Sequence, residues 1–137
     1  MSIEMNVEFS EGLSREDVIS SLEENGAIFV IDDNGIRGNF SDSNMYFWYI
    51  DQNFVGWRAR GYSDSLLAEV DLSSTWTVHA RSGFIYVLDS FDRCSSELMC
   101  FVESIAKRSK VRFVLSFQYE TICALRDHNG LRYLCKF

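Results

Sequence analysis

The sequence predicts an α+β domain in which a mainly antiparallel, curved sheet carries two helices, the second packed on its concave face. Three observations point there. Two stretches have helical periodicity and helix-end chemistry, and they stand apart, separated by a long run of period-two segments rather than alternating with single strands. Two Asn-Gly dipeptides, Asn34-Gly35 and Asn129-Gly130, each sit between apolar runs, which is the short-range signature of an antiparallel hairpin. The 137 residues contain no proline and no low-complexity run, so residues 1–137 read as one globular domain without an internal linker.

Ile3 to Phe9 reads as the first strand. The first helix follows, with Ser14 as N-cap, Asp17 three residues on as its reciprocal partner, and Leu13 with Val18 as a hydrophobic staple. Val18, Ile19 and Leu22 form its apolar stripe, Glu16, Glu23 and Glu24 face solvent, and Asn25-Gly26 stops it. Ala27 to Ile31 and Ile36 to Phe40 then flank Asn34-Gly35, a dipeptide suited to two left-handed positions in a tight turn. The second hairpin repeats the chemistry: Asp127-His128-Asn129-Gly130-Leu131-Arg132 echoes Asp32-Asp33-Asn34-Gly35-Ile36-Arg37, and a two-residue loop places each Asp opposite its Arg. Shared turn chemistry explains this echo more simply than an internal repeat.

Met45 to Asp51 is apolar on both strand faces, Met45, Phe47 and Tyr49 alternating with Tyr46, Trp48 and Ile50, and is therefore expected to be central or to cover a ligand. Phe54 to Arg60, Thr75 to Ala80 and Phe84 to Leu88 read as further strands, the last two joined by a turn at Arg81-Ser82-Gly83; Leu66 to Leu72 is ambiguous. The second helix, from about Asp92 to Ser109, aligns Phe91, Cys94, Leu98, Phe101, Val102 and Ile105, and places Lys107 and Arg108 at the negative end of its dipole. Val111 to Gln118, Glu120 to Arg126 and Leu131 to Phe137 complete the sheet. Eight or nine strands also permit closure into a barrel or half-barrel around that helix.

Composition bounds the function. The first 51 residues carry eleven carboxylates and two basic side chains, Arg15 and Arg37, a formal −9 against +2 for the remainder. Such a chain repels nucleic-acid phosphates and anionic lipid, so neither nucleic acid nor membrane is an expected partner, whereas a basic protein is. The segment MSIEMNVEFSEG has no basic n-region and no apolar run, which points to a cytoplasmic location. On that expectation Cys94, Cys100, Cys123 and Cys135 remain thiols, and no C-x-x-C pair suggests a metal.

No catalytic signature appears. His79 reads as a half-exposed strand histidine sharing a face with Thr75 and Thr77, His128 lies in a turn, and there is no G-x-S-x-G. Val30 to Ser41 places Asp32, Asn34 and Gly35 at the third, fifth and sixth positions of a calcium loop but lacks carboxylates at the first and twelfth. Gly35-x-x-Gly38 is too short for a phosphate loop. Trp57-Arg58-Ala59-Arg60 is better explained by cross-strand pairing than by RNA contact, and Lys107 to Arg112 by helix termination. No catalytic residue, cofactor or metal site is expected.

This compact, acidic, proline-free α+β domain, ending in Ser116-Phe117-Gln118-Tyr119-Glu120 through the Asp127 to Arg132 hairpin, resembles bacterial immunity proteins of contact-dependent growth inhibition and related polymorphic toxin systems. The resemblance implies a cytoplasmic inhibitor, not an enzyme, that binds one cognate toxin domain, frequently a basic nuclease, and blocks its active site or substrate surface. Helix capping accounts for Asp17 and pairing with Arg37 for Asp32, which leaves Glu23, Glu24, Asp33, Asp42 and Asp51, with the aromatic anchors Tyr46 and Trp48, as the expected partner-binding residues. The alternative is a small-molecule-binding or hydrolytic domain with an aromatic pocket around Trp48, Trp57 and Trp76. A subunit that dimerises through an exposed strand edge is a third reading, and the oligomeric state stays open.

Overall fold

The computed structural model describes residues 3–52, 76, 78–118, 120–127 and 129–137. Its strands are β1 (Ile3–Phe9), β2 (Ala27–Ile31), β3 (Gly35–Phe40), β4 (Tyr46–Ile50), β5 (Ala80–Tyr86), β6 (Phe113–Phe117), β7 (Thr121–Asp127) and β8 (Gly130–Tyr133), with helices α1 (Arg15–Glu24) and α2 (Phe91–Arg108). The eight strands form one sheet in the order β2-β3-β4-β5-β1-β6-β7-β8, antiparallel at every step. The expected α+β architecture is therefore present, as an open, curved sheet with two helices. β2 and β8 are its edges.

Local chemistry explains where the helices begin and end. Ser14 Oγ accepts the Asp17 backbone N–H at 3.2 Å, and α1 stops at Asn25, followed by Gly26 at φ 76°. α2 turns Cys94, Leu98, Phe101, Val102 and Ile105 toward the sheet, and Lys107 and Arg108 occupy its last turn. The two helices meet where Asn25 Nδ2 donates to Ser104 Oγ at 3.2 Å and Arg108 pairs with Glu24 at 2.8 Å.

Pleating sends alternate side chains of each strand to opposite faces, and the register shows which. Met5, Val7 and Phe9 of β1, Phe47 and Tyr49 of β4, Phe84 and Tyr86 of β5, and Phe113 and Leu115 of β6 share one buried cluster with the apolar stripes of both helices. Its aromatic rings meet at centroid distances of 5.1 Å for Phe40–Phe47, 5.4 Å for Phe84–Phe101 and 5.9 Å for Phe9–Phe113. Each such ring, fully removed from water, stabilises the fold by about 1.5–3 kcal/mol before entropy is charged against it. A smaller cluster of Val114, Ile122 and Leu125 lies on the outer face, where Trp76 packs against it.

Several expectations need correction. Arg81-Ser82-Gly83 is not a turn: it lies inside β5, and the described residues Trp76, Val78 and His79 are not strand. The glycine serves close packing instead, because a Cβ at Gly83 would collide with the Trp48 ring. The first hairpin turn does not use left-handed Asn34 and Gly35. Asp32 pairs with Gly35 through the Asp32 N–H, and Asp32 Oδ1 accepts the N–H groups of Asn34 and Gly35 at 2.9 and 3.0 Å. Gly35 is required because a side chain there would strike the Tyr49 carbonyl. The Asp–Arg pairs are accordingly diagonal rather than opposite: Arg37 faces Val30 and Arg132 faces Leu125. Cys123 and Cys135 are joined as a disulfide and are not thiols, while Cys94 is buried and Cys100 exposed on different sides of α2. Phe54 to Arg60, Leu66 to Leu72 and His128 lie outside the described residues. No helix among the described residues is long and apolar enough to cross a membrane.

Candidate partner-binding face

The outer face of the sheet, turned away from the helices, is unevenly covered. Over β1, β6 and β7 it is buried, Asn6, Glu8, Val114, Ser116, Ile122 and Leu125 all being inaccessible. Over β2, β3 and β4 it is open: Ile28, Val30, Tyr46 and Ile50 are exposed and Trp48 is half-buried. Cross-strand register sets these in two rows, Ile28–Asn39–Tyr46 and Val30–Arg37–Trp48. A groove of about 390 Å³ crosses the face, lined by Tyr46, Trp48, Ile50, Arg37, Asn34 and Asp32 among others. Trp48 lies over Gly83, and the Arg81 guanidinium stands 5.9 Å from its ring centroid, so the indole is held in one orientation.

The predicted acidic residues fall at two ends of this face. Asp33 and Asp51 lie at the β2–β3 turn and the end of β4. Glu23, Glu24 and Asp42 lie at the end of α1 and the β3–β4 turn, which the Ser41 N–H joins to the Gly26 carbonyl at 3.1 Å. The five residues of β2 separate the two groups by about 17 Å at strand rise. Tyr46, Trp48 and Ile50 run between them along β4.

Arginines neutralise part of the acid set. Arg15 grips Asp51 with two bonds, Nε to Oδ2 at 2.6 Å and Nη2 to Oδ1 at 2.9 Å. Its guanidinium also donates to the carbonyls of Asp32 at 3.0 Å and Asp33 at 3.1 Å. The hydrogen-bonded carboxylate of Asp51 raises the Arg15 pKa above its ordinary value, with burial acting in the opposite direction. Glu24 pairs with Arg108, and Asp42 stands 4.0 Å from Arg93. Asp32 lies 3.9 Å from Arg37, yet the backbone N–H groups of Asn34 and Gly35 are the main reason its pKa falls below the usual aspartate value. The turn stabilisation tied to that shift is present above the unfolded carboxylate range and is lost as pH falls through the depressed folded value. Glu23 and Asp33 are exposed and have no ion-pair partner among the described residues.

The structure places Tyr46 and Trp48 on this face with the acidic residues at its ends, together with the exposed aliphatics of β2, which the sequence did not single out. AIFVI is apolar throughout, and its edge position leaves Ile28, Val30 and Ile31 as surface groups. His79 is exposed outside any strand, its N–H bonded to the Phe9 carbonyl at 2.8 Å. The tryptophans expected to share a pocket do not converge among the described residues: Trp76 packs on β6 and β7, three strands from Trp48, and Trp57 lies outside them. Compared with family models, curated proteins and solved structures, the chain matches none.

Proposed function

We propose that this chain is a non-catalytic, partner-neutralising protein of the immunity type, acting in the cytoplasm on a basic toxin domain of nuclease character. One observation carries the reading. The outer sheet face is buried over β1, β6 and β7 but left open over β2 to β4, where exposed aliphatic and aromatic side chains lie between two acidic ends. A rigid tryptophan beside a tyrosine and aliphatic neighbours is the composition of an interface centre, and the flanking carboxylates supply the field that speeds encounter with a basic surface. The toxin's active site or substrate surface, built to receive phosphates, is the complementary region for such a face.

Co-purification with the product of the neighbouring gene tests this directly. With a basic partner in hand, Glu23→Lys with Asp33→Lys lowers the association rate several-fold at low salt, and the difference fades as ionic strength rises. A neighbour without toxic activity, or association kinetics indifferent to both substitutions and salt, refutes the reading.

A second reading, small-molecule binding, is favoured by a cavity of about 310 Å³ lined by Ile3, Met5, Tyr86, Phe91, Phe117 and Phe137 with their neighbours. The Tyr86 side chain is buried there, and burial raises its pKa above the ordinary tyrosine value. That cavity lies between the sheet end and the C-terminal segment, apart from the β2–β4 face.

A further inference from the structure

We infer that β2 is a strand-addition site, taking an extended segment of the basic partner along its free edge; this rests on the partner-binding reading above. The hydrogen-bonding geometry defines the edge. The Asp32 N–H reaches the Gly35 carbonyl at 2.9 Å and the Ser41 N–H reaches the Gly26 carbonyl at 3.1 Å, so the alternation of an antiparallel ladder directs Ile28 and Val30 toward β3. Ala27, Phe29 and Ile31 therefore direct their N–H and C=O groups outward, where they have no partner among the described residues.

The side chains on this edge are unusual for one that meets only water. Ile28 at 73%, Val30 at 57% and Ile31 at 51% are the most exposed large hydrophobic residues described. Native edges are ordinarily blunted by lysine, proline, a bulge or a covering segment. β2 has no proline or charge, and its register with β3 is continuous. The opposite edge is treated differently. β8 has four residues, Arg132 pairs with Asp127, the Tyr133 hydroxyl donates to Glu103 at 2.7 Å, and the following residues fold back to the Cys123 carbonyl beside the Cys123–Cys135 disulfide. β8 is the shorter edge and carries a charged residue, whereas β2 carries none.

Charge identifies the occupant. In an antiparallel pairing with a second copy, the Asp32–Asp33 turn of each chain would approach the Glu23–Glu24 end of the other, setting like charges together at both ends of the contact. A segment with Lys or Arg at its ends and β-branched residues between them meets opposite charge at those ends and apolar surface at Ile28 and Val30. Main-chain bonding supplies the affinity, and the alternating side chains supply the selection.

The probe is a blocked synthetic peptide, KVTVTVK, added to the isotopically labelled full chain. Amide exchange at Ala27, Phe29 and Ile31 slows at least ten-fold on saturation. Ile31→Pro deletes one outward N–H but spares the ladder to β3, and it weakens binding at least ten-fold, whereas Ile31→Thr, which keeps the N–H, weakens it less than three-fold. The peptide EVTVTVE binds at least ten-fold more weakly at low salt, a comparison that needs no variant to fold. Unchanged exchange at millimolar peptide, equal loss for proline and threonine in folded variants, or equal affinity for both peptides overturns the inference. Perturbation of Tyr46, Trp48 and Ile50 without protection of the β2 amides retains the partner-binding face and removes strand addition. A concentration-dependent dimer abolished by Ile31→Pro makes a second copy the occupant and overturns the basic-segment assignment.

Discussion

Replacing Arg15 by Ala removes four hydrogen bonds at once: two to the Asp51 carboxylate and one each to the carbonyls of Asp32 and Asp33. The Arg15 and Asp51 side chains are 30% and 20% exposed, so the pair lies between a surface ion pair and a buried one. Discounting a charge-assisted bond for that exposure gives about 1–2 kcal/mol for the Asp51 pair, and the two carbonyl contacts add about 1 kcal/mol. Arg15→Ala therefore costs about 2–3 kcal/mol and Asp51→Ala about 1–2 kcal/mol, since the second variant leaves both carbonyl contacts in place. With a urea slope of about 2 kcal/mol/M, the two midpoints fall by about 1–1.5 M and 0.5–1 M. The double variant costs less than the sum, by a coupling of about 1–2 kcal/mol. Equilibrium urea unfolding of the four proteins measures all three quantities. A coupling below about 0.3 kcal/mol, or a larger loss for Asp51→Ala than for Arg15→Ala, refutes the claim that Arg15 fastens the acidic turn to the end of β4.

Two further predictions concern packing and redox state. Gly83→Ala forces a methyl group into the Trp48 ring and costs about 1–3 kcal/mol, and truncating the indole in the same chain, Trp48→Ala, returns part of that loss; strictly additive effects in thermal unfolding would contradict the contact. The Cys123–Cys135 disulfide spans a sequence separation of 12, for which the chain-entropy relation gives about 3 kcal/mol, so dithiothreitol lowers the unfolding free energy by that order. Thiol titration of the denatured, unreduced chain returns Cys94 and Cys100 only; four reactive thiols would show that the staple is not formed under the conditions of purification.

What the sequence made legible follows from the range of the interactions. The ends of α1 were readable because Ser14, Asn25 and Gly26 act within one turn, and α2 because its apolar stripe repeats over 18 residues. Gly83 was misread because glycine marks a turn in one context and a close approach in another. Only the partner strand, here β4 with Trp48, decides which. Gly35 fails as turn evidence for the same reason: Tyr49, fourteen positions away, fixes its need for hydrogen in place of a side chain. The Asp32 turn was readable as a turn but not in its type, since Asp32, Asp33 and Asn34 support more than one hydrogen-bonding solution. Strand order, and with it the exposure of Ile28, Val30 and Ile31, is set by which strands pair over long separations, which local periodicity does not encode.

The N-terminal acid excess changes meaning once the chain is folded. A formal −9 over the first 51 residues suggests one diffuse negative surface, but in the fold Asp51, Asp42 and Glu24 are paired with Arg15, Arg93 and Arg108. Arg93 and Arg108 come from α2, so the compensating charge that the N-terminal segment lacks arrives through tertiary contact. Glu23 and Asp33 are then the carboxylates of the expected set that retain no ionic partner among the described residues, one at each end of β2. On the proposed reading a partner drawn by that field would be oriented along β2 before contact, because charges left at the two ends of a strand define a direction as well as a sign. The charge that survives pairing thus marks the same line as the outward backbone of the edge strand, the axis along which the proposed steering and main-chain recognition would both act.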